Sequence, residues 1–291
     1  MTYEVELVLD IKATLGEGPH WDARRGKLYW VDIMGKHFHT YDPNNGENDT
    51  LSFDQYIGAV VPTGDGKFLL AMENGIHIYD PEHDQLEQII DPEKDLPNNR
   101  FNDAKCDPSG RFWAGTMSMQ GEQKQGSLYR LDPDKSLTKV LSDVSISNGL
   151  AWSPDEKYMH YIDTPTGKVV TFHYEAKTGS LSKQRTAIEV PGEMGGPDGM
   201  TIDEEGMLWI AHWGGARVSR WNPLNGELLK EIPIPAKNVT SCTFGGENLD
   251  ELFVTTAREG LSEGDLEKYP QTGGLFRVQT DVRGTINNYF A

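Results

Sequence analysis

The chain of 291 residues is short of positive charge and of long apolar runs, and each shortage excludes a class of protein. Lys and Arg number 27 against 45 Asp and Glu, which gives a net charge of −18. So acidic a surface repels nucleic acid and anionic membrane surfaces. No apolar stretch approaches the roughly 18 residues that a membrane-spanning helix needs, and the first ten residues do not resemble a signal peptide. We therefore expect a cytoplasmic protein that binds neither nucleic acid nor membrane.

Cysteine, helical periodicity and several catalytic motifs are also scarce. The two cysteines, Cys106 and Cys242, fall in distant parts of the chain, and a pair of reduced thiols fits a cytosolic protein. The His-Glu-x-x-His, Gly-x-Gly-x-x-Gly and Cys-x-x-Cys motifs are absent, so common zinc, dinucleotide and redox sites have no sequence support. No segment shows a convincing period of 3.6 residues, which leaves β structure as the prediction.

One local pattern recurs six times along the chain. A head residue opens a short strand, a polar turn follows, and a second strand rich in aromatic or aliphatic residues comes next. The heads are Glu17, Gly58, Asn102, Asn148, Asp198 and Ser241. They are spaced about 40 to 50 residues apart, and a period of this length with several short strands per unit is typical of a β-propeller.

The pattern predicts an all-β, six-bladed β-propeller with four-stranded blades, formed as a single domain by residues 1–291. The ends of the chain fit this arrangement. Residues 4–9 resemble an outer strand without a blade of its own, and the sixth unit stops after Gly274–Val278, one strand short. We predict that the N-terminal strand completes the last blade, which closes the ring and removes an exposed sheet edge.

In such a ring the six heads come together at one end of the central channel. Glu17, Asn102, Asn148 and Asp198 carry carboxylate or amide oxygens, the ligands that Ca²⁺, Mg²⁺ and Mn²⁺ prefer. Three or four protein ligands would leave positions on the ion for water and substrate. Taken singly, each of these residues is also an ordinary turn former. The pattern alone therefore leaves two interpretations open, a turn or a metal site.

The chain resembles the gluconolactonase/regucalcin (senescence marker protein) family of six-bladed propellers, of the bacterial sugar lactone lactonase type. The resemblance covers essentially the whole chain, and its segments occur in the expected order. They are Leu15–Trp21, Asn99–Lys105, Pro108–Met117, Gly126–Arg130, Ser147–Trp152, Pro197–Met200 and Trp213–Val218.

The resemblance implies that Glu17, Asn148 and Asp198 bind one catalytic divalent ion, with Ca²⁺ favoured over Mg²⁺, Mn²⁺ or Zn²⁺. It also implies that Arg100 and Asn102 line the substrate pocket and that Asp198 is the catalytic base. Animal regucalcins have an acidic residue shortly after the equivalent of Met117. This chain has Gln120 there, which we expect to hydrogen-bond sugar hydroxyls.

These residues predict a metal-dependent hydrolase that opens sugar lactones to aldonic acids. A divalent ion would polarise the ester carbonyl, Asp198 would take a proton from water, and Arg100 would offer donors to hydroxyls or the product carboxylate. The expected partner is a small-molecule lactone, and the expected state is a monomer or a weak homodimer. Two alternatives remain: a related hydrolase of other lactones or organophosphates, and a non-catalytic calcium-binding protein.

Overall fold

The strands of this protein are arranged in six antiparallel sheets around a ring. The computed structural model describes residues 3–291, and within that range it has six four-stranded sheets. Each sheet is one blade, and its strands follow one another along the chain from the inside outwards in five of the six blades. The prediction of an all-β, six-bladed propeller is confirmed.

The blades are numbered in chain order, and each blade begins with its innermost strand. Blades 1 to 3 contain β2 (Gly16–Asp22), β3 (Lys27–Asp32), β4 (His37–Asp42) and β5 (Glu47–Ser52); β6 (Ile57–Pro62), β7 (Phe68–Met72), β8 (Gly75–Asp80) and β9 (Gln85–Ile90); and β10 (Asn99–Cys106), β11 (Phe112–Ser118), β12 (Gly126–Leu131) and β13 (Leu137–Val144). Blades 4 to 6 contain β14 (Ser147–Trp152), β15 (Tyr158–Asp163), β16 (Lys168–Glu175) and β17 (Ser180–Glu189); β18 (Gly196–Ile202), β19 (Leu208–Trp213), β20 (Arg217–Asn222) and β21 (Glu227–Pro233); and β22 (Asn238–Gly245), β23 (Glu251–Ala257), β24 (Leu275–Gln279) and β1 (Val5–Leu9).

The N-terminal strand closes the ring as predicted. Strand β1 pairs antiparallel with β24, with Val5 opposite Val278 and Leu7 opposite Phe276. The last blade is therefore built from both ends of the chain. This pairing covers the edge of β24, which would otherwise be free to pair with another molecule.

The innermost strand of every blade contains an irregularity at its head. The pairing register with the second strand shifts within residues 17–20, 57–59, 101–104, 148–150, 197–200 and 239–241. A β-bulge of this kind bends the strand and changes the direction of its side chains. The innermost strands are buried along nearly their whole length, so adjacent residues such as Asn102 and Asp103 are both buried.

Aromatic residues from the second strands pack the blades against one another. Trp30, Trp113 and Trp209 are at most 1% exposed. Trp209 meets Phe244 of the next blade edge-to-face at 5.4 Å between ring centroids. Each such ring buries about 150–250 Å².

Buried aspartates at the turns after the inner strands accept hydrogen bonds from buried side chains of the blades, a role that the sequence analysis missed. Asp107 is fully buried and accepts hydrogen bonds from Trp113 Nε1 at 2.9 Å and from the Tyr174 hydroxyl at 2.7 Å. Asp203 accepts similarly from Trp209 Nε1 at 2.9 Å and from Arg220 Nε at 2.7 Å. Since Tyr174 belongs to blade 4, Asp107 links blade 3 to its neighbour.

One short helix, α1 (Glu263–Lys268), corrects the expectation of a chain without helices. Its six residues are too few to show a helical period, and it is specified instead by a capping box between Ser262 and Asp265. Residues 260–264 match the Gly-x-Ser-x-Gly pattern of serine hydrolases. However, Ser262 has an unstrained φ of −75° and caps the helix, so it lacks the strained turn of a nucleophile elbow.

The last residues form a C-terminal strap, residues 281–291, across the end of the channel opposite the heads. Tyr289 donates a hydrogen bond to Asp22 of blade 1 at 2.8 Å, and Asn288 donates one to the carbonyl of Cys106 in blade 3 at 3.3 Å. Thr63 of blade 2 forms a bridge with Phe290. The strap therefore ties the first three blades to the C-terminal end of the chain.

Hydropathy along the helical parts of residues 3–291 gives no candidate for a helix that crosses a membrane.

Candidate metal centre

The six heads meet at one end of the channel. The backbones of neighbouring heads approach so closely that a Cβ on Gly58 would lie 2.4 Å from the carbonyl oxygen of Asn102. Two hydrogen bonds join further neighbouring blades at this end. Asn102 Nδ2 of blade 3 donates to the Ser147 carbonyl of blade 4 at 2.9 Å, and the Thr240 hydroxyl of blade 6 donates to the Gly16 carbonyl of blade 1 at 2.5 Å. Residues 17, 102, 148 and 198 are therefore neighbours in space.

Glu17 and Asp198 form the acidic part of this cluster. They are 5% and 4% exposed. Burial, followed by repulsion from Asp103, raises the pKa of Glu17 to about 8. Burial, followed by repulsion from Glu17, raises the pKa of Asp198 well above its usual range. Two carboxylates in such surroundings repel each other, and a bound cation removes that cost.

Asn148 presents its amide oxygen to the same cluster. Its Nδ2 donates to Thr164 Oγ1 at 2.9 Å, and the Thr164 hydroxyl in turn donates to the Pro197 carbonyl at 2.8 Å. This chain of hydrogen bonds fixes the orientation of the amide. Asn148 Oδ1 is buried and has no hydrogen-bond partner within residues 3–291. An oriented amide oxygen without a protein partner is suited to a metal ion.

Asp103 is a third buried carboxylate that the sequence analysis did not select. It is 3% exposed, both of its oxygens lack hydrogen-bond partners within the described part of the chain, and burial raises its pKa. Lys105 provides the balancing charge: its ammonium group is buried and donates a hydrogen bond to the Met200 carbonyl. The available sequence signal was the position of Asp103 directly after the head residue Asn102.

Arg100 and Asn102 are held rigidly beside the carboxylates. Arg100 is 7% exposed, and its Nη1 donates to Asn102 Oδ1 at 2.8 Å and to the Phe101 carbonyl at 2.9 Å. Burial lowers the pKa of Arg100, against the opposing effect of Glu259 and Glu17. Because Asn102 Nδ2 is also bonded to a carbonyl, both ends of the Asn102 amide have protein partners.

Gln120 lies apart from this buried cluster. It is exposed in the turn that follows β11. The structure therefore brings together five of the six residues selected from the sequence and leaves this one on the surface.

The donor set fits a divalent cation. Within residues 3–291 no three His, Cys, Asp or Glu side chains form a group that could hold a metal ion by themselves. The third donor is the amide oxygen of Asn148, a residue type outside that set. Two buried carboxylates and an oriented, unpartnered amide oxygen form a hard-oxygen set, which suits Ca²⁺ better than a thiolate- or imidazole-binding ion.

The raised pKa of Glu17 predicts how stability depends on pH when metal is removed. The folded pKa of about 8 exceeds the ordinary value of 4.5, so the folded protein holds an extra proton between these values. The stabilisation of the folded state that comes from protonated Glu17 is complete below about pH 4.5 and is lost as the pH rises through about 8. In EDTA, Glu17→Gln should therefore melt at nearly the wild-type temperature at pH 4.5 and at a clearly higher temperature at pH 8.5.

The melting temperature of Glu17→Gln must be compared with that of the wild type at each pH, because buried histidines change the stability of both proteins with pH in the opposite direction. Burial lowers the pKa of His20 to about 3 and of His39 to about 4, which destabilises the fold in acid. Both proteins share this effect. A difference in melting temperature that stays constant from pH 4.5 to 8.5 would contradict the raised pKa of Glu17.

Comparison with known proteins shows that this chain has relatives over nearly its whole length. The family model described as SMP-30/Gluconolactonase/LRE-like region matches residues 15–258. A Bacillus subtilis (strain 168) protein named "Putative sugar lactone lactonase YvrE" is 44% identical, over 96% of this chain and 95% of that protein. Regucalcin of Xenopus laevis is 39% identical over 99% and 98% of the two chains.

A solved structure gives the same fold. The crystal structure of a calcium-binding protein, regucalcin, from Agrobacterium tumefaciens superposes with a TM-score of 0.95 at 30% sequence identity. The match covers 100% of this chain and 98% of the other.

Proposed function

Because the chain belongs to the SMP-30/gluconolactonase/LRE-like family, we propose that it is a divalent-metal-dependent hydrolase that opens sugar lactones to aldonic acids. The observation that carries this proposal is the cluster of Glu17, Asn148 and Asp198. It combines two buried carboxylates that repel each other with an amide oxygen that has no protein partner. A relative named as a sugar lactone lactonase supports the choice of substrate class.

In this proposal Glu17, Asn148 and Asp198 hold one divalent ion, for which Ca²⁺ is the favoured candidate. When bound, the ion supplies Lewis-acid polarisation of the lactone carbonyl. Thr164 keeps the Asn148 amide turned with its oxygen towards the cluster. The carboxylates of Glu17 and Asp198 supply two negative charges, which match the charge of the ion.

Asp198 acts as the base. Water attacks the lactone carbonyl carbon and gives up a proton to Asp198; the ring C–O bond then breaks, and the leaving oxygen takes up a proton to become a hydroxyl group. The product is an open-chain hydroxy acid. Burial and neighbouring carboxylates raise the pKa of Asp198 in the metal-free protein, and a bound cation acts in the opposite direction.

Arg100 orients the substrate. Its buried guanidinium uses Nη1 for two protein contacts, and its remaining N–H groups are available to ring hydroxyls or to the product carboxylate. Asn102 accepts from Arg100 and thereby holds the guanidinium in place. The exposed Gln120 contacts the outer hydroxyls of a bound sugar.

A second candidate function is calcium binding without turnover. The names of two relatives favour it, since one is a regucalcin and the other is described as a calcium-binding protein. Both functions use the same oxygen ligands, so only turnover separates them.

We also propose that residues 1–291 are one domain and that the protein acts in the cytoplasm as a monomer or a weak homodimer. The pairing of β1 with β24 supports a single unit. Cys106 and Cys242 are buried free thiols, which suits a reducing compartment.

The deciding experiment measures proton release from D-glucono-1,5-lactone by EDTA-treated protein, before and after addition of Ca²⁺, Mg²⁺, Mn²⁺ or Zn²⁺. Spontaneous hydrolysis is subtracted. We expect turnover only with metal, and no turnover by Asn148→Ala. The exposed carboxylate variant Asp134→Asn is the control and should retain full activity.

Tight calcium binding without turnover of any lactone in a panel of 1,4- and 1,5-lactones would favour the calcium-binding candidate. Turnover confined to lipophilic lactones or organophosphates would favour a hydrolase of other substrates. Full activity after removal of metal would contradict the proposal.

A further inference from the structure

The longest connection between two strands of residues 3–291 lies at the same end of the channel as the heads. It runs from residue 258 to residue 274, joins β23 to β24 and contains helix α1. Ala257, the last residue of β23, pairs with Asn238, the first residue of the innermost strand β22. Ala257 also forms a bridge with Leu15, two residues before the head Glu17. The connection therefore starts beside the candidate metal centre.

The backbone of Glu259 is fixed next to the first head. Its N–H donates to the Thr14 carbonyl at 2.9 Å, and its carbonyl accepts from Asn238 Nδ2 at 3.0 Å. Asn238 is 2% exposed, and Thr14 lies three residues before Glu17. These bonds hold Glu259 at a set position beside the ring of heads.

The Glu259 carboxylate is free to bind a ligand. The residue is half-buried, so solvent reaches it, and its side chain makes no hydrogen bond or ion pair within residues 3–291. Asp265 of the same connection is already committed, because it caps α1 and pairs with Lys237 at 2.6 Å. Glu259 therefore keeps its acceptor sites for hydroxyl or N–H donors.

Arg100 carries the donors on the same side of the site. Burial lowers the pKa of Arg100, and among the charges that oppose this effect Glu259 comes first, ahead of Glu17 and Glu73. Since a coulombic effect falls with distance, the Glu259 carboxylate lies on the guanidinium side of the site. Arg100 Nη1 bonds to Asn102 Oδ1 and to a backbone carbonyl, and not to Glu259. A ligand between the two groups meets donors on one side and an acceptor on the other.

Glu73 adds a second carboxylate to this part of the site. It lies in the turn between β7 and β8, at the head end of blade 2, and is half-buried. Its backbone N–H donates to the Tyr56 carbonyl at 2.9 Å, and Tyr56 lies two residues before the head Gly58. The surroundings of Arg100 are therefore acidic, and a ligand with a negative charge of its own is repelled by both glutamates.

From this arrangement, and resting on the proposed function, we propose that Glu259 determines the specificity of the site for neutral, polyhydroxylated lactones. Its carboxylate accepts hydrogen bonds from ring hydroxyls of the substrate, across from the donors of Arg100. Hydrogen bonds to a charged acceptor are stronger than those between neutral groups. A lactone without hydroxyls leaves these bonds unmade, and a lactone with a free carboxylate or phosphate is repelled by Glu259 and Glu73.

The first test measures kcat and KM for D-glucono-1,5-lactone and for δ-valerolactone, which has no hydroxyl group. Glu259→Ala should lower kcat/KM for the sugar lactone about tenfold, chiefly through KM, because a charge-assisted hydrogen bond is lost. The value for δ-valerolactone should not change. Glu263→Ala removes an exposed carboxylate from the same connection, so it is the matched control and should alter neither value.

The double variant Glu73→Gln/Glu259→Gln tests the repulsion. D-Glucaro-1,4-lactone carries a free carboxylate at neutral pH. Removal of two nearby negative charges should raise its kcat/KM about fivefold at low ionic strength. The gain should shrink in about 0.5 M NaCl, because salt screens charges that solvent reaches.

D-Glucono-1,5-lactam separates binding from hydrolysis, since it keeps the ring hydroxyls and replaces the ester by an amide. Its Kd is measured by isothermal titration calorimetry on the calcium-loaded, full-length protein. We expect a Kd about tenfold higher for Glu259→Ala than for the wild type and Glu263→Ala. Melting temperatures check that every variant is folded.

The proposal is overturned if Glu259→Ala changes neither the KM for D-glucono-1,5-lactone nor the Kd for the lactam. It is also overturned if Glu259→Ala slows δ-valerolactone equally, or if the double variant gives no gain with D-glucaro-1,4-lactone. A wild type that hydrolyses none of the three lactones would contradict the hydrolase proposal, and the lactam titration would still decide the role of Glu259. An active wild type with indistinguishable variants would contradict the role of Glu259 alone.

Discussion

Asp198→Asn should abolish lactone hydrolysis and at the same time stabilise the metal-free protein. We expect kcat/KM to fall by about 10³-fold or more, because the substitution removes both the proposed base and one of two charged ligands. The stability change has the opposite sign. Asp198 is buried beside Glu17 and Asp103, and a neutral amide of the same shape relieves their repulsion.

The two effects are measured on the same preparation. Proton release with saturating metal gives the activity, and thermal melting in EDTA at pH 8 gives the stability. Asp134→Asn, which changes an exposed turn carboxylate, should alter neither. An Asp198→Asn protein that is inactive and also less stable in EDTA would mean that Asp198 supports the fold, and a fully active one would remove it from the mechanism.

Asp107→Ala should be among the most destabilising single changes in the protein. It removes the acceptor for Trp113, Tyr174 and Arg111, all buried or nearly so, and with it one of the links between blades 3 and 4. Arg111 keeps its salt bridge to Asp132, and each buried donor left without its acceptor, Trp113 Nε1 and the Tyr174 hydroxyl, costs about 1–3 kcal/mol. Urea unfolding, monitored by tryptophan fluorescence, gives the free energy of unfolding directly.

The exposed residue Asp134 is again the control. It forms a similar turn, in which its carboxylate accepts hydrogen bonds from the backbone and hydroxyl of Ser136, but it lies on the surface. Asp134→Ala should lower stability far less. Equal losses for the two variants would show that the turn, and not the buried network between blades, is what Asp107 stabilises.

Much of the fold could be predicted from the sequence because its information is local and repeated. Each blade strand is short and ends at a turn. Its apolar residues alternate with polar ones or form a short run, so each strand can be recognised from its own few residues. The missing strand of the last blade was also predictable, since the chain begins with an unpaired strand. Helix α1 was missed because six residues are too few for periodicity, and its cap was the only signal.

The site was predictable only in part. Glu17, Asn148 and Asp198 stand at equivalent repeat positions, so the propeller symmetry brings them together. Asp103 and Lys105 do not stand at heads, and the burial of both Asn102 and Asp103 follows from the packing of the innermost strand β10 on both faces. The commitment of the Asn102 amide to Arg100 and to the Ser147 carbonyl is likewise visible only in three dimensions.

The sequence by itself determined the number of blades, the closure of the ring and the oxygen-bearing heads. These depend on a local pattern that recurs six times along the chain, which chance similarity would not produce. Only the tertiary structure decided which polar atoms lack partners, which charges balance one another, and which carboxylates surround Arg100. Those properties depend on distances between residues far apart in the chain. Burial then converts the distances into energy, since a charge or an N–H group away from water must find a partner.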